Sequence, residues 1–416
     1  MADSKAVDLE YVEKHFSPID PRLVGDGPLL SDGLWHAIDL MLEQCPVAKS
    51  DGQWFGCPHG GWVVNRYEDV MSVIHDTETF SNRVKKGSGE WEPPQIPIDI
   101  DPPILVEYKR FLRPYFTMSA VSKFEPTARE IVTRLLDRFI ETGRTADLVT
   151  ELAYPFSMRV QWTWLVGIDE TDHDQLLGWI QTIIHHRFTP AFDDARESWI
   201  DWLTQTLERR RGGPRQADLI DGLFHSEFQG RALTDDEIVR IMEIMIIGGV
   251  TTTADTISNI LWRLAVYPDV QAELREDPSL LPQALEEFLR IEGVVTGFPR
   301  RITHDVEFEG HAMKEGEQLF VHTAAANRDP REFPNPHGLD FHRARNRHLT
   351  FGAGHHRCIG SNFARQNLRI VFEEILSRMA NIRLSDEDPP PERISGIARM
   401  VSLLPLKFDP GPRLLS

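Results

Sequence analysis

Cysteine is scarce. In 416 residues only Cys45, Cys57 and Cys358 occur, too few and too odd in number for a disulfide framework, which points to a reducing compartment. Basic charge is short as well: 45 Lys and Arg face 64 Asp and Glu, a formal net charge of −19. That balance argues against a nucleic-acid binder and for solubility, so a partner that seeks positive charge must find a local patch. An uninterrupted apolar span is also missing. The most apolar window, "IMEIMIIGGVTTTADTISNILWRLAV", contains Glu243, Asp255 and Arg263 and reads as a buried helix rather than a membrane crossing. The start, "MADSKAVDLEYVEKHF", carries acids where a signal peptide has a basic flank and an apolar stretch, so a cytoplasmic protein is expected. Repeats, low-complexity tracts and long Gly/Ser linkers are wanting too. One large domain over residues 1–416 follows, with about residues 1–25 as an N-terminal extension.

What is present is helical periodicity. It dominates from about residue 120 onward, in "AREIVTRLLDRFIETG", "DQLLGWIQTIIHH", "SWIDWLTQTLERRR", the stretch from Asp235 to Val266, "LLPQALEEFLRI" and "NFARQNLRIVFEEILSRM". Alternating or β-branched runs are fewer and short: "GWVVNRY", "ITHDVEFEG", "QLFVHTAA" and "ARMVSLLPLKF". The expected class is mainly α with small β-sheets.

One of the three cysteines stands in an unusual place. "FGAGHHRCIG", residues 351–360, sets Cys358 among three glycines, two histidines and an arginine, directly before the helical pattern "SNFARQNLRIVFEEIL". A position at a helix N-terminus is expected to lower a thiol's pKa, since unpaired backbone N–H groups favour the thiolate. Gly352, Gly354 and Gly360 allow tight turns, and Phe351 is placed to shield the sulfur from water. A zinc site is disfavoured because no paired Cys or His spacing occurs, whereas a single thiolate with open coordination opposite suits haem iron. Cys45 and Cys57 read as small buried hydrophobes.

The segment resembles the haem-binding signature of cytochrome P450 enzymes, Phe-Gly-x-Gly-x-His-x-Cys-x-Gly, matched at Phe351, Gly352, Gly354, His356, Cys358 and Gly360. The resemblance implies the triangular-prism-like cytochrome P450 fold and haem b (iron protoporphyrin IX) ligated by the Cys358 thiolate. Three further stretches fall in the same order along the chain. In "ALEEFLRI", Glu287 and Arg290 stand at i and i+3; alone they read as a solvated pair, but they resemble the family's Glu-x-x-Arg pair, and "NRDPREFPNPHGLDFHR" resembles the segment that brings a second arginine, here Arg343, to form a structural latch. "GFPRRITHDVEFEG" resembles the strand with a propionate arginine, assigned to Arg300 rather than Arg301, with His356 as a second donor. "DPPILVEYKRFLRPYF" resembles the segment whose His and Arg reach the propionates. Here those places hold Leu105 and Lys109, a departure for which Arg110 or Arg113 is the candidate compensation.

"GGVTTT", residues 248–253, puts two glycines in the middle of a helix of some thirty residues, at a cost of about 2 kcal/mol relative to alanine. Gly248, Gly249, Thr252 and Thr256 share one face and leave it nearly bare beside a hydroxyl. Either close helix packing or close approach of a flat ligand accounts for that. The stretch resembles the family's oxygen-activation segment: Thr252 matches its alcohol, Thr251 stands where its acid is usual, and Asp255, one turn on, is the candidate proton source. The resemblance further places Val294, Val295, Thr296 and Phe298 at the substrate, with Ile96, Ile98 and Ile100 at the cover. These are mostly apolar, which suits a small-to-medium lipophilic molecule.

Arg343, Arg345, Arg347, Arg357, Arg365 and Arg369 crowd the cysteine segment of an otherwise acidic chain. By resemblance, that face receives electrons from a ferredoxin served by an NAD(P)H-dependent ferredoxin reductase, and the basic patch would steer the encounter. The reaction implied is insertion of one atom of dioxygen into a C–H bond. A peroxide-driven oxidase and a non-enzymatic haem-based sensor are the alternatives. "IIHHRFTPAF" reads as an ordinary helix end.

Overall fold

The computed structural model describes residues 13–16, 32–52, 60–84, 94–141, 145–167, 172–185, 190–216, 218–394 and 398–414. A 32-residue helix, Asp235–Val266, runs through its middle. It starts at a capping box: Thr234 Oγ1 accepts from Glu237 N–H at 3.2 Å, and Glu237 Oε2 accepts from Thr234 N–H at 2.8 Å. Three acids in its first turn complement the dipole, and Pro268 lies just beyond its last residue. By length and composition this helix could cross a membrane, yet 78% of its most apolar window is buried inside the protein. Its apolar faces are covered by Tyr154–Gln161, Pro190–Arg211, Leu281–Glu292 and Ser361–Arg378, which share one hydrophobic core with it.

Tyr154–Gln161 is flanked by wider π turns at Val149–Ala153 and Trp162–Val166. Its segment is apolar on most sides, the pattern of a helix buried all round.

A five-stranded sheet lies apart from the helical core, in the order Val47–Ser50, Gly61–Val64, Gln318–Val321, Phe298–Ile302, Phe80–Ser81. Gln318–Val321 pairs parallel with Gly61–Val64 and antiparallel with Phe298–Ile302, placing Leu319 opposite Arg300. Two smaller hydrophobic clusters pack on this sheet. One holds Cys45, whose thiol is pushed up to about 11 by burial and by Glu13; Cys57 lies outside the described residues. Of the stretch read as an N-terminal extension, residues 13–16 are described, and Phe16 is fully buried in that same cluster.

Candidate active site

The loop before Ser361–Arg378 is built to hold one sulfur. Cys358 N–H donates to Phe351 O at 2.7 Å and closes the loop. Gly352 (φ +62°) and Gly354 (φ +58°) make the turns inside it, a left-handed backbone that costs other residues about 1–2 kcal/mol. From the helix Ile104–Leu112, Lys109 lines the same cavity as Cys358, and its Nζ donates to His355 O at 2.6 Å and to Arg357 O at 2.8 Å, stapling the loop. Burial and then the neighbouring Arg113 depress this lysine, the Cys358 sulfur opposes them, and the balance is a pKa of about 8.

Cys358 opens into an internal cavity of about 400 Å³ while protein encloses it on its other sides. The position before a helix predicts a lowered thiol pKa. The net shift is instead upward, because enclosure outweighs the Gly360 N–H and the charges of Lys109, Arg365 and Arg357. Across the cavity from the loop stands the middle of the central helix, with Gly248, Gly249, Thr252 and Thr256 on the cavity wall. The two glycines answer different needs. A Cβ at Gly248 would meet nothing within 4 Å, so that glycine leaves open space, whereas one at Gly249 would stand 2.5 Å from the Gln161 amide. Ligand access explains the first and helix packing the second. The hydroxyls follow the helix: Thr252 Oγ1 donates to Gly248 O at 2.7 Å and Thr256 Oγ1 to Thr252 O at 2.7 Å.

Two expected members of this site face elsewhere. Thr251 is buried away from the cavity and donates to Ile247 O at 3.2 Å. Asp255 lies against the helix Tyr154–Gln161 and accepts from Tyr154 Oη at 3.1 Å. The reason is angular: both positions are rotated about 60–100° from Thr252 on a 3.6-residue helix. Burial pushes the Asp255 carboxyl up to about 8, against the Tyr154 hydrogen bond. The unfolded carboxyl ionises near 4, so the stability from this protonated group is full below that pH and is lost as pH rises towards 8. Asp255→Asn should remove the slope: its urea midpoint relative to wild type should rise between pH 5 and pH 8. A difference that stays constant with pH would refute the buried neutral acid.

Val294, Val295 and Phe298 line the cavity. Thr296 does not; it is buried behind them, where its carbonyl accepts from Ala324 N–H at 2.9 Å and Thr323 Oγ1 at 3.1 Å. At the cover, Ile98 and Pro97 line the cavity, Ile96 is buried in the core and Ile100 packs against it. Leu105 is fully buried. Arg110 and Arg113, the suggested compensation for it, point to a surface depression beside Val106, Pro114 and Thr117 and do not reach the cavity.

Period two along Phe298–Ile302 sends Phe298 and Arg300 to the cavity, while Arg301 faces away and donates to Arg83 O at 3.3 Å. Arg300 is 2% exposed. Its Nη1 donates to Pro299 O at 3.0 Å, its Nε has no hydrogen-bond partner among the described residues, and burial lowers the group to about 10 despite the pull of Asp101. Beside it His356 Nδ1 meets Asn82 Nδ2 at 3.2 Å, and His356 Nε2 and Asn82 Oδ1 are unpartnered. Burial, then the charges of Arg300, Lys109 and His355, lower His356 to about 3, so its ring is neutral. A buried guanidinium with a free N–H and, among the described residues, no carboxylate in ion-pair contact calls for an anion from outside the chain. A flat ligand carrying carboxylates fits this set, with bare Gly248 on one face and Cys358 on the other.

Behind the loop, Glu287 accepts from Arg290 Nε and Nη2, both at 2.9 Å, and from Arg343 Nε at 2.8 Å, with Arg290 and Glu287 almost wholly buried. Burial would raise the Glu287 carboxyl, but the two guanidinium groups outweigh it and hold it below the usual range. The expected basic patch is smaller than its sequence suggests. Arg343 belongs to this cluster, Arg347 pairs with Glu332, Arg365 with Glu286, and Arg369 with Glu125 and Glu373. Part of "IIHHRFTPAF" lies outside the described residues.

Sequence reasoning missed Asn82 and Gln161, both of which line the cavity. Neither sits in a recognisable motif; Asn82 follows the edge strand Phe80–Ser81, and Gln161 ends a helix whose pattern is not amphipathic.

A family model described as Cytochrome P450 matches residues 176–409. A steroid C26-monooxygenase of Mycobacterium tuberculosis is 32% identical over 395 residues, covering 92% of this chain and 98% of the relative. A mycinamicin IV hydroxylase/epoxidase of Micromonospora griseorubida is 31% identical over 337 residues, 79% of this chain and 84% of the relative. Among solved structures, cytochrome P450 CYP109Q5 from Chondromyces apiculatus superposes with a TM-score of 0.84 at 26% identity, covering 97% of this chain and all of that one. With the fold, the sulfur loop and these likenesses in agreement, the chain belongs to the cytochrome P450 family and is an oxygen-incorporating oxidoreductase.

Proposed function

We propose that this protein is a cytoplasmic, single-domain haem monooxygenase that hydroxylates a small-to-medium lipophilic substrate, with haem b held between Cys358 and the central helix. The observation that carries the reading is the shared cavity: Cys358, Thr252, Arg300 and His356 all line it, and Arg300 Nε and His356 Nε2 have no partner among the described residues. Arg300 and His356 would take the propionates, and Asn82 orients the His356 ring. Lys109 keeps the loop in shape through two loop carbonyls, and since it also lines the cavity its third N–H is left to meet a propionate as a point charge. Phe351, with the Arg365 guanidinium 4.5 Å from its ring centroid, closes the sulfur side to water. When bound, the haem supplies thiolate-assisted O–O cleavage.

Thr252 presents the hydroxyl that holds a proton at the cavity wall. Thr251 has no titratable group and is turned away, so the proton source lies behind the helix, at the neutral carboxyl of Asp255 or in water drawn from that side. The apolar wall of Val294, Val295 and Phe298 supports a lipophilic substrate. Electrons come from a separate ferredoxin and its NAD(P)H-dependent reductase, and Arg110 and Arg113, which outnumber Glu107 in a depression that exposed Val106 also lines, suit the docking of an acidic partner.

One assay tests the reading: product formed per NADH consumed with a ferredoxin and reductase. Thr252→Ala should cut that ratio about a hundredfold, the low end for loss of a proton-transferring group, with the balance appearing as hydrogen peroxide. Equal ratios in the two proteins would defeat the role of Thr252. Reduction that does not slow as salt is raised would defeat the charged docking face.

A further inference from the structure

Gln161 ends the helix Tyr154–Gln161 and is 2% exposed. Its Nε2 donates to Met245 O at 2.7 Å. That bond decides which end of the amide is which, because only N–H can donate to a carbonyl. Oε1 is then the free end, and among the described residues it has no hydrogen-bond partner. The amide lies flat on the central helix, where a Cβ at Gly249 would come within 2.5 Å of Nε2 and 2.6 Å of Oε1. Gln161 lines the cavity with Ile244, Met245 and Gly248, the part of the central helix that precedes Thr252. Of the hydroxyls on the cavity wall, Thr252 and Thr256 donate to their own helix carbonyls, and Thr253, one turn beyond Gly249, makes no hydrogen bond to Oε1. A buried acceptor left without a donor is costly, and a single polar atom set in an apolar wall is how a pocket fixes the orientation of its ligand.

We propose that Gln161 is a specificity-determining residue whose Oε1 accepts a hydrogen bond from a hydroxyl or N–H of the substrate. The substrate class is thereby narrowed to lipophilic molecules that carry such a donor, bound with the donor at Gly249 and the apolar body against Val294, Val295 and Phe298. This rests on the haem reading of the cavity.

The test needs no knowledge of the substrate. Holoprotein is titrated with 4-phenylimidazole and its ortho-, meta- and para-hydroxyphenyl analogues, following the haem absorption and, in parallel, the thermal midpoint. Wild type should bind at least one hydroxylated isomer about fivefold tighter than the parent, the effect of one neutral hydrogen bond. The preference should vanish in Gln161→Leu and in the unbranched Gln161→Met, while the parent stays within about twofold of wild type. The proposal is overturned if wild type prefers no hydroxylated isomer, as expected were Oε1 served by an ordered water, or if the preference survives both substitutions. A wild-type spectrum that responds to no imidazole would instead remove the haem reading beneath it.

Discussion

Cys358→Ala should abolish the strongly red-shifted band of the reduced, carbon-monoxide-treated protein and bring NADH-driven product formation to background, while leaving the fold intact. The loop does not depend on the sulfur for its shape. Its closure is a backbone bond from Cys358 N–H to Phe351 O, its turns are made by Gly352 and Gly354, and Lys109 holds two of its carbonyls. On the far side Arg365 forks onto Glu286 at 2.7 and 2.8 Å and keeps Phe351 in place. Alanine therefore removes one polarizable atom from the cavity wall and little else, so circular dichroism and the urea midpoint should stay near wild type. Cys45 provides the control. It is a buried thiol outside the cavity, raised to about 11, and Cys45→Ala should leave the band unchanged. Persistence of the band in Cys358→Ala would end the assignment of the iron ligand.

The upward thiol shift gives that prediction a physical edge. Lys109, Arg365, Arg357 and the Gly360 N–H all favour the thiolate, yet enclosure wins. A sulfur so placed ionises when a cation meets it directly, as a metal does. The chain's own charges are thus tuned to assist an incoming metal rather than to make a free nucleophile. That distinction separates this cysteine from the reactive cysteines of hydrolases, which need a thiolate before substrate arrives.

The parts of this molecule that could be read from its sequence are those where one physical signal acts alone. Asp235–Val266 and Ser361–Arg378 carry long helical patterns with sharp starts. Cys358 stands in a loop whose glycines have no other use. Arg300 rather than Arg301 is assigned by resemblance alone, and the alternation of the strand supplies the physical reason only once its position is known. Tyr154–Gln161 was missed because a helix buried on all sides shows no periodicity, and Gln161 was missed with it. Strands such as Met379–Leu384, which directly continues a helix, and the two-residue hairpin Glu227–Phe228 with Arg231–Ala232 are fixed by their partners and not by their own residues. Where Thr251 and Asp255 face is a related case: both stand close to Thr252 in sequence, but a rotation of 60–100° turns their side chains off the cavity wall, Asp255 onto a neighbouring helix. The basic patch is thinned, by pairing, to exposed Arg345 and Arg357: charges counted along a chain say nothing of the acids brought from Glu125, Glu286 and Glu332.

The largest loss of stability should come from Glu287→Ala. Glu287 accepts five hydrogen bonds: two from Arg290, one from Arg343, one from Asn346 Nδ2 at 3.0 Å and one from Asp340 N–H at 3.0 Å. Its removal leaves two buried guanidinium groups without a counter-charge, a change that costs about 3–5 kcal/mol in comparable sites. The consequence reaches the haem side through Asn327. Arg290 Nη1 donates to Asn327 O at 3.0 Å, and the Asn327 side chain accepts from Leu349 N–H at 2.6 Å and donates to Thr350 Oγ1 at 3.1 Å, immediately before the cysteine loop. Glu287→Ala should therefore lower the urea midpoint and also shift the carbon-monoxide band to the position of a protein that has lost its thiolate ligand. Glu287→Gln keeps the volume and one acceptor oxygen but not the charge, and should fall between alanine and wild type on both measures. The pH dependence has a definite sign. A carboxyl held below its ordinary value adds stability that is present above the unfolded pKa and is lost as pH falls through the folded one. Wild type should thus lose stability on acidification more steeply than Glu287→Gln. An alanine variant within about 1 kcal/mol of wild type, the worth of an exposed ion pair, would show that the latch is no more than a surface contact.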